Sequence, residues 1–590
     1  MSAVTQRLAP GASAPAFRRL NWSRIDPWRT LLLVAIAAAV FVPMLFLVLG
    51  SFSTARSPSQ FTLETLTLKN HQQVWSDPGT WAVFGNTFWY VIGSTTVAVT
   101  IAGMLAWLVE RTDMPGKVLI YAAVPMTLAM PGMLQAMAWV LLMSPKIGFF
   151  NKTLMGLFGL ENPPFDIYSL GGMVFVESFR LVPAGFLMLS PLLRNMDPAL
   201  EEAAAMSGAS PAQTFWRITA RLLLPGLAAI AIYQGITALE VFEIPGILGL
   251  PSGVLVFSTK IYAVLHSSSF LPNYGEANAL ATFYLLVAFA ASFAYARVLS
   301  RSGRYSTVAG KGYRPRLQRL GRWRWLVLSL VVIYLLLALV LPALVLLYTS
   351  FMPFLQTPSV ASLSRATLDN YRAIFSMRSM PVVLGNTLQL ALVTCVATVV
   401  ASFLISMVIV RSRFWGRRII DMLVFLPHAI PGIVTGLAML WVFLAIDQMG
   451  ASLFGGIWSV CIVFTIGFLA YGTRAMSAAL MQIHKDIEEA AQVSGASAFQ
   501  VMRRIFAPLL LPAFLGLGLW SILQSVRMAS QPLILLEGAK NEVLAITIWS
   551  LWGEGQAVQV AAIGVLMIAV MLVLAAGLRL LSRRYSFAGM

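Results

Sequence analysis

Two groups of charged residues stand out in an otherwise apolar chain, and their spacing points to two kinds of chemistry. The first is Glu201-Glu202-Ala203-Ala204-Ala205-Met206-Ser207-Gly208-Ala209-Ser210, running on to Pro225. It has a twin in Glu488-Glu489-Ala490-Ala491-Gln492-Val493-Ser494-Gly495-Ala496-Ser497, running on to Pro512. Aligned without gaps, residues 201–225 match residues 488–512 at 16 of 25 positions; unrelated stretches would match at roughly one or two. Carboxylates beside a flat run of alanines suit close docking of a basic partner. The second group is Glu177, Arg180, Glu240, Glu243 and Arg527, all inside apolar runs. Charges there are costly and face a cavity or a partner, unless they snorkel to an interface. Glu177 and Arg180, three apart on one helical face, read as a local ion pair. Glu240 and Arg527 are 287 residues apart, the offset of the twin segments, as are Pro245 and Pro532. On helices related by a twofold axis they are expected to face each other across a translocation path, with Glu243 one turn on. The alternative is that each charge finds a separate partner in its own half.

Other chemistries lack their residues. No Gly-x-x-x-x-Gly-Lys-Ser/Thr loop is present, so the chain does not hydrolyse ATP by itself. No nucleophile–base set stands out, and no enzymatic activity is expected. Cys395 and Cys461 lie in apolar runs, and His71, His266, His428 and His484 show no ligand spacing. No metal site or cofactor is expected. The chain is 58% hydrophobic and 11% charged, whereas soluble domains carry about 25% charged residues. With a mean hydropathy of +0.80, it is an integral membrane protein surrounded by a lipid bilayer. The net charge of +18 would suit nucleic acid. The arginines cluster in alternate loops, however, as the positive-inside rule requires, so nucleic acid is not expected.

The elements that must position these residues follow from capping and hydropathy. Each twin segment reads as helix, turn, helix. Asp197-Pro198 starts the first helix, Gly208 ends it, and Ser210-Pro211 starts the next. In the second copy Asp486 and Glu489 form a candidate capping box, followed by Gly495 and the N-cap Ser497. Six membrane spans per half are expected: roughly 31–52, 83–108, 118–143, 171–193, 222–250 and 278–299, then 326–350, 382–410, 419–446, 456–480, 509–536 and 557–581. The first run is read as a span rather than a signal peptide, because its counterpart lies in mid-chain. The joint from Arg297 to Arg324 holds nine Lys/Arg and no acid, which makes it cytoplasmic. Six spans per half then place both termini and both twin segments in the cytoplasm. The domains expected are a cytoplasmic tail (1–30), a first unit (31–300), a basic linker (301–325) and a second unit (326–590).

The repeat extends beyond the twin segments. Thr67-Leu68-Lys69-Asn70 echoes Thr367-Leu368-Asp369-Asn370, Gly85-Asn86-Thr87 echoes Gly385-Asn386-Thr387, and Pro131-Gly132 echoes Pro431-Gly432, each 300 residues apart. The first half therefore carries a net 13 extra residues (300 − 287) between Gly132 and Glu201. The outer loop near 144–170 is their natural place. Two halves entering the membrane from the same side make a parallel repeat about an axis along the membrane normal. The fold class expected is all-α, with about twelve transmembrane helices in two six-helix repeats, each carrying a cytoplasmic helix.

At the twin segments the chain resembles the membrane-spanning subunits of bacterial ABC importers. Their EAA signature is matched by Glu202-Ala203-Ala204 with Gly208 and by Glu489-Ala490-Ala491 with Gly495. Pro508 keeps a proline of the signature, whereas Arg221 stands there in the first copy. An ordinary interfacial helix–turn–helix is the plain alternative. The resemblance implies that Glu201, Glu202, Ala203, Ala204, Gly208, Glu488, Glu489, Ala490, Ala491 and Gly495 dock two copies of a separate ATPase subunit. It further implies a periplasmic substrate-binding protein as partner, and a place in the bacterial inner membrane. As a whole the chain resembles fused permeases of the ferric-iron and thiamine importer type. The stretch Ala238-Leu239-Glu240-Val241-Phe242-Glu243-Ile244-Pro245-Gly246 resembles the ferric-iron branch. Thiamine, polyamine, phosphonate and sugar-phosphate import remain open. So does an ion-driven secondary transporter, against which the paired docking segments argue.

Overall fold

The computed structural model describes residues 26–55, 58–194, 196, 199–266, 272–302 and 317–586. Asp197-Pro198, the basic stretch before Asp26 and most of the basic joint lie outside them. Among the described residues there are no strands beyond isolated bridges, such as Thr112 with Gln318 and Gly455 with Leu536. Everything else of regular structure is helix, as backbone groups surrounded by hydrocarbon must be satisfied within their own segment.

In the first half, α1 (Pro27–Ser51) and α2 (Pro78–Arg111) cross the apolar layer. They are followed by α3 (Lys117–Met126), α4 (Gly132–Met143), α5 (Phe149–Phe158), α6 (Leu170–Arg194) and α7 (Ala199–Met206). Then come α8 (Phe215–Glu240), α9 (Glu243–Leu248), α10 (Phe257–Leu265) and α11 (Tyr274–Ser302). The second half repeats the order with α12 (Trp323–Ser350), α13 (Met380–Arg411), α14 (Arg417–Phe425), α15 (Gly432–Asp447) and α16 (Ile457–Gln482). It closes with α17 (Lys485–Val493), α18 (Phe499–Arg527), α19 (Leu544–Gly553) and α20 (Ala557–Ser586).

Ten of these helices are long and apolar enough to cross a membrane, and three bent pairs raise the number to as many as 13. The expected spans 118–143 and 419–446 are not straight: α3 and α4 meet at 96°, α14 and α15 at 109°. The cause is local. Each first helix tightens into a 3₁₀ turn, and Pro131 or Pro431, near φ −59° and −55° with ψ 140° and 142°, then starts the next helix in a new direction. Proline lacks the N–H that would continue the ladder. The expected spans 222–250 and 509–536 also end early, at Glu240 and Arg527, where Val241 and Met528 turn extended. The first half goes on into the bent pair through α9 and α10 (69°). Between α4 and α6 the first half holds α5, whereas Asp447 and Ile457 leave only a turn between α15 and α16.

The repeated words are devices for satisfying backbone groups at the joints. Asn70 donates to the carbonyls of Ser51 and Ser53 (3.1 and 2.8 Å), and Asn370 to those of Ser350 and Met352 (2.9 and 2.7 Å). Asn86 donates to Leu255 O and Asn386 to Glu542 O (3.0 and 2.9 Å). The Thr87 and Thr387 hydroxyls accept from Phe257 N–H and Leu544 N–H (3.0 and 2.8 Å). Where α2 crosses α6, a Cβ on Gly185 would come within 2.9 Å of Ala102 Cβ and 2.6 Å of Gln234 Nε2; its counterpart Gly472 lies against Ser402. Small residues at such crossings let helix backbones approach in lipid.

The two halves interlock. Helix α1 packs on α11 of its own half and on α14 and α15 of the other, while α12 packs on α20 and reaches back to α4. Two of the buried clusters accordingly draw on both halves, one around Leu47, Phe257, Tyr284, Trp441 and Phe464, the other around Trp139, Val176, Leu346 and Ile548.

Candidate functional site

The twin segments fold alike. Helix α7 is followed by Gly208 at φ +81°, and Ala209 N–H donates back to Ala204 O at 3.0 Å. Helix α17 is followed by Gly495 at φ +81°, with Ala496 N–H bonded to Ala491 O at 3.0 Å. This is the glycine-capped helix end expected, a backbone state that glycine alone adopts at little cost. Ser210 and Gln213 then form a reciprocal cap: Ser210 N–H donates to Gln213 Oε1 (3.0 Å) and Gln213 N–H to Ser210 Oγ (3.3 Å). Ser497 and Gln500 do the same at 2.8 and 3.3 Å. In both copies one α turn, Pro211–Thr214 or Ala498–Val501, is followed by a π turn, Phe215–Thr219 or Met502–Phe506. The entry is thus the same whether Arg221 or Pro508 follows. Asp486 does not cap α17. The helix begins at Lys485, so Asp486 sits inside the first turn and pairs with His484 Nδ1 at 3.0 Å.

The outward faces mix small and apolar residues with polar ones. Ala203, Ala490, Gly208, Gly495 and Glu489 are exposed, while Glu202, Ala204, Glu488 and Ala491 are half-buried. The equivalent residues Met206 and Val493 are 90% and 89% exposed, an apolar knob in each copy. Beside α17 opens a cleft of about 800 Å³ whose lining includes Arg417, Arg418, Arg474, Lys485 and Glu489.

Glu201 turns inward instead. Its carboxylate meets the Arg111 guanidinium at 3.4 Å and accepts from Thr219 Oγ1 at 2.8 Å. Arg111, the last residue of α2, also donates to Met196 O at 3.3 Å. In the second half Arg411, the last residue of α13, donates to Leu480 O (2.9 Å) and Ile483 O (2.6 Å) and lies over the Phe506 ring. Sequence reasoning missed Arg111 and Arg411. A basic residue ending an apolar run looks like simple snorkelling, although their spacing of 300 matches that of the other repeated words.

The intramembrane charges gather where the broken helices meet. Glu177 and Arg180 on α6 form the ion pair expected, with Nε–Oε2 and Nη2–Oε1 distances of 2.8 and 2.5 Å, and Glu177 is fully buried. Arg527 donates across the halves to Leu128 O at 3.0 Å, at the end of the 3₁₀ turn after α3. Glu243, first residue of α9, accepts from Ala529 N–H at 3.2 Å, again across the halves. No ion pair joins Glu240 to Arg527 among the described residues, so the expected facing pair is not formed in this state. The extended residues Val241 and Met528 redirect the chain immediately after both groups, and a backbone carbonyl satisfies the arginine. Cation on carbonyl and carboxylate on N–H are the pairings that broken helix ends favour.

Residues 394–587 match the family described as binding-protein-dependent transport system inner membrane component. The chain is 26% identical to the ferric transport system permease protein FbpB of Actinobacillus pleuropneumoniae, over 82% of this chain and 68% of that one. It is 21% identical to the Fe(3+)-transport system permease protein FbpB 2 of Haemophilus influenzae, over 90% and 93%. It is 26% identical to the sulfate transport system permease protein CysT of Synechococcus elongatus, over 35% and 67%. Matches over most of the length to permease relatives, and of residues 394–587 to the permease family, agree with the duplicated twin segments and the multi-pass helical fold. By these matches the chain is similar, over most of its length, to fused permeases of binding-protein-dependent ABC importers.

Proposed function

We propose that the chain carries ferric iron, released from a periplasmic binding protein, across the bacterial inner membrane, driven by two separate ATPase subunits. The observation that carries the reading is the pair of equally folded segments, each offering an exposed alanine and an apolar knob. Docking involves Glu202, Ala203, Ala204, Gly208, Glu488, Glu489, Ala490, Ala491 and Gly495. Both termini lie in the cytoplasm, as does the linker 301–325 that joins permease units 31–300 and 326–590. Glu240, Glu243 and Arg527 border the path. Ferric iron is favoured over sulfate because carboxyl groups outnumber guanidinium groups by one among Glu177, Arg180, Glu240, Glu243 and Arg527. The two relatives named for ferric transport also cover far more of the chain than the sulfate relative does. Thiamine, polyamine, phosphonate and sugar phosphate are the competing cargoes. The test is uptake into vesicles holding the chain and its ATPase, with each candidate solute presented on its binding protein. ATP-dependent uptake of iron supports the assignment, and uptake of another solute with none of iron refutes it.

The binding protein is expected to seat partly on the loop around α5. Asn151, fully buried, fixes that loop: its two amide N–H groups are shared among Met143 O, Ser144 O and Phe165 O, and its Oδ1 accepts from Phe165 N–H. Leu157 and Phe158 are left exposed. Trimming residues 149–158 should weaken capture of the binding protein; unchanged affinity would make the loop a tolerated insertion.

A further inference from the structure

We propose that Arg111 and Arg411 are positioning residues that clamp each docking segment to the end of a membrane helix and carry its movement into the bilayer. Glu201 belongs to this clamp, not to the docking surface. The inference rests on the reading of the twin segments as ATPase-docking elements.

Both arginines end the long helix of their half, α2 and α13. Both reach the stretch that leads from the preceding span into the docking helix. Arg111 bonds Met196 O, and Arg411 bonds Ile483 O, the residue 287 positions further on. Their equivalence therefore holds under both offsets of the repeat, 300 for the arginines and 287 for the carbonyls. The Arg411 guanidinium, on the Leu480 carbonyl in the last turn of α16, complements that helix's dipole, and in both halves the arginine holds a carbonyl just beyond the helix end. The Arg111 side chain is only 3% exposed. A displaced docking helix must therefore either take α2 with it or strand a buried charge.

The two clamps are closed differently. In the first half Thr219 and Glu201 complete it, and Glu201, with its side chain 19% exposed, bridges the arginine to the opening turn of α8. In the second half Phe506 occupies the position of Thr219 and offers its ring to Arg411 at 5.7 Å. Among the described residues Glu488 makes no ion pair. The first clamp is also braced by the joint between halves: Gln318 N–H donates to Arg111 O at 2.9 Å, and Asp113 N–H to Gln318 O at 3.0 Å. Two carboxylates at the same place in one motif thus do different work, and the neighbour at the Thr219 or Phe506 position decides which.

The test uses the complete transporter, with ATPase and binding protein, carrying R111K, R411K or E201Q. Lysine keeps the charge but not the planar fork, whose two terminal nitrogens Arg111 uses on separate partners. Two quantities are read: ATPase retained per chain on purification, and the fold stimulation of ATP hydrolysis by loaded binding protein. Retention should stay at the wild-type level, while stimulation falls by roughly twofold to thirtyfold, the range of coupling losses at intervening residues. E201Q exchanges a single oxygen for an amide nitrogen and keeps the test open if an arginine variant fails to fold. Loss of ATPase from E201Q would make Glu201 a docking contact and overturn the proposal, as would wild-type stimulation in all three variants. A wild-type chain that retains no ATPase overturns the docking reading itself, which separates that failure from failure of the clamp.

Discussion

Gly208 and Gly495 have open space where a Cβ would stand, so a substitution there is opposed by the backbone and not by a clash. A left-handed residue other than glycine costs about 1–2 kcal/mol, with Asn tolerated best. Gly495→Val should therefore impair ATPase coupling far more than Gly495→Asn, measured as stimulated ATP hydrolysis. Equal loss in both would mean that the partner needs the bare glycine surface. Glu489→Ala removes an exposed carboxylate and should cost under about 1 kcal/mol of docking affinity. Since Arg527 holds the Leu128 carbonyl and not Glu240, the double exchange Glu240→Arg with Arg527→Glu should recover no transport lost by either single change. Recovery would reveal another state in which the two groups meet.

At the scale of elements, the helix crossings are the sensitive points. Gly185→Val would press a branched side chain against Ala102 and Gln234. Overpacking of this kind costs about 1–3 kcal/mol, which a lower unfolding temperature of the purified protein would show. Much of this level was legible in the sequence. The words around Asn70, Asn86 and Thr87 and their copies recur because each satisfies a specific backbone group at a joint. The glycine caps were readable for the same reason. The bends were not: hydropathy sees an unbroken apolar run across Pro131 and Pro431, and a proline within a span is read as a kink of unknown size. The partners of Arg111 and Glu201 were also hidden, because they depend on which way α7 rolls.

For the whole molecule, the crossing of α1 and α12 into the opposite half means that neither half encloses its own core. Expressed alone, residues 1–316 or 317–590 should fail to accumulate in the membrane, and joint expression should restore both. Stable accumulation of either half by itself would show that the interlock is dispensable. The central claim is that one polypeptide supplies two equivalent docking segments. The mass of the intact complex purified with its co-expressed ATPase tests it most directly. Two ATPase subunits per chain are expected, falling to one when either segment is disabled by Gly208→Val or Gly495→Val. A complex with one ATPase, or none, on the unaltered chain would contradict the account.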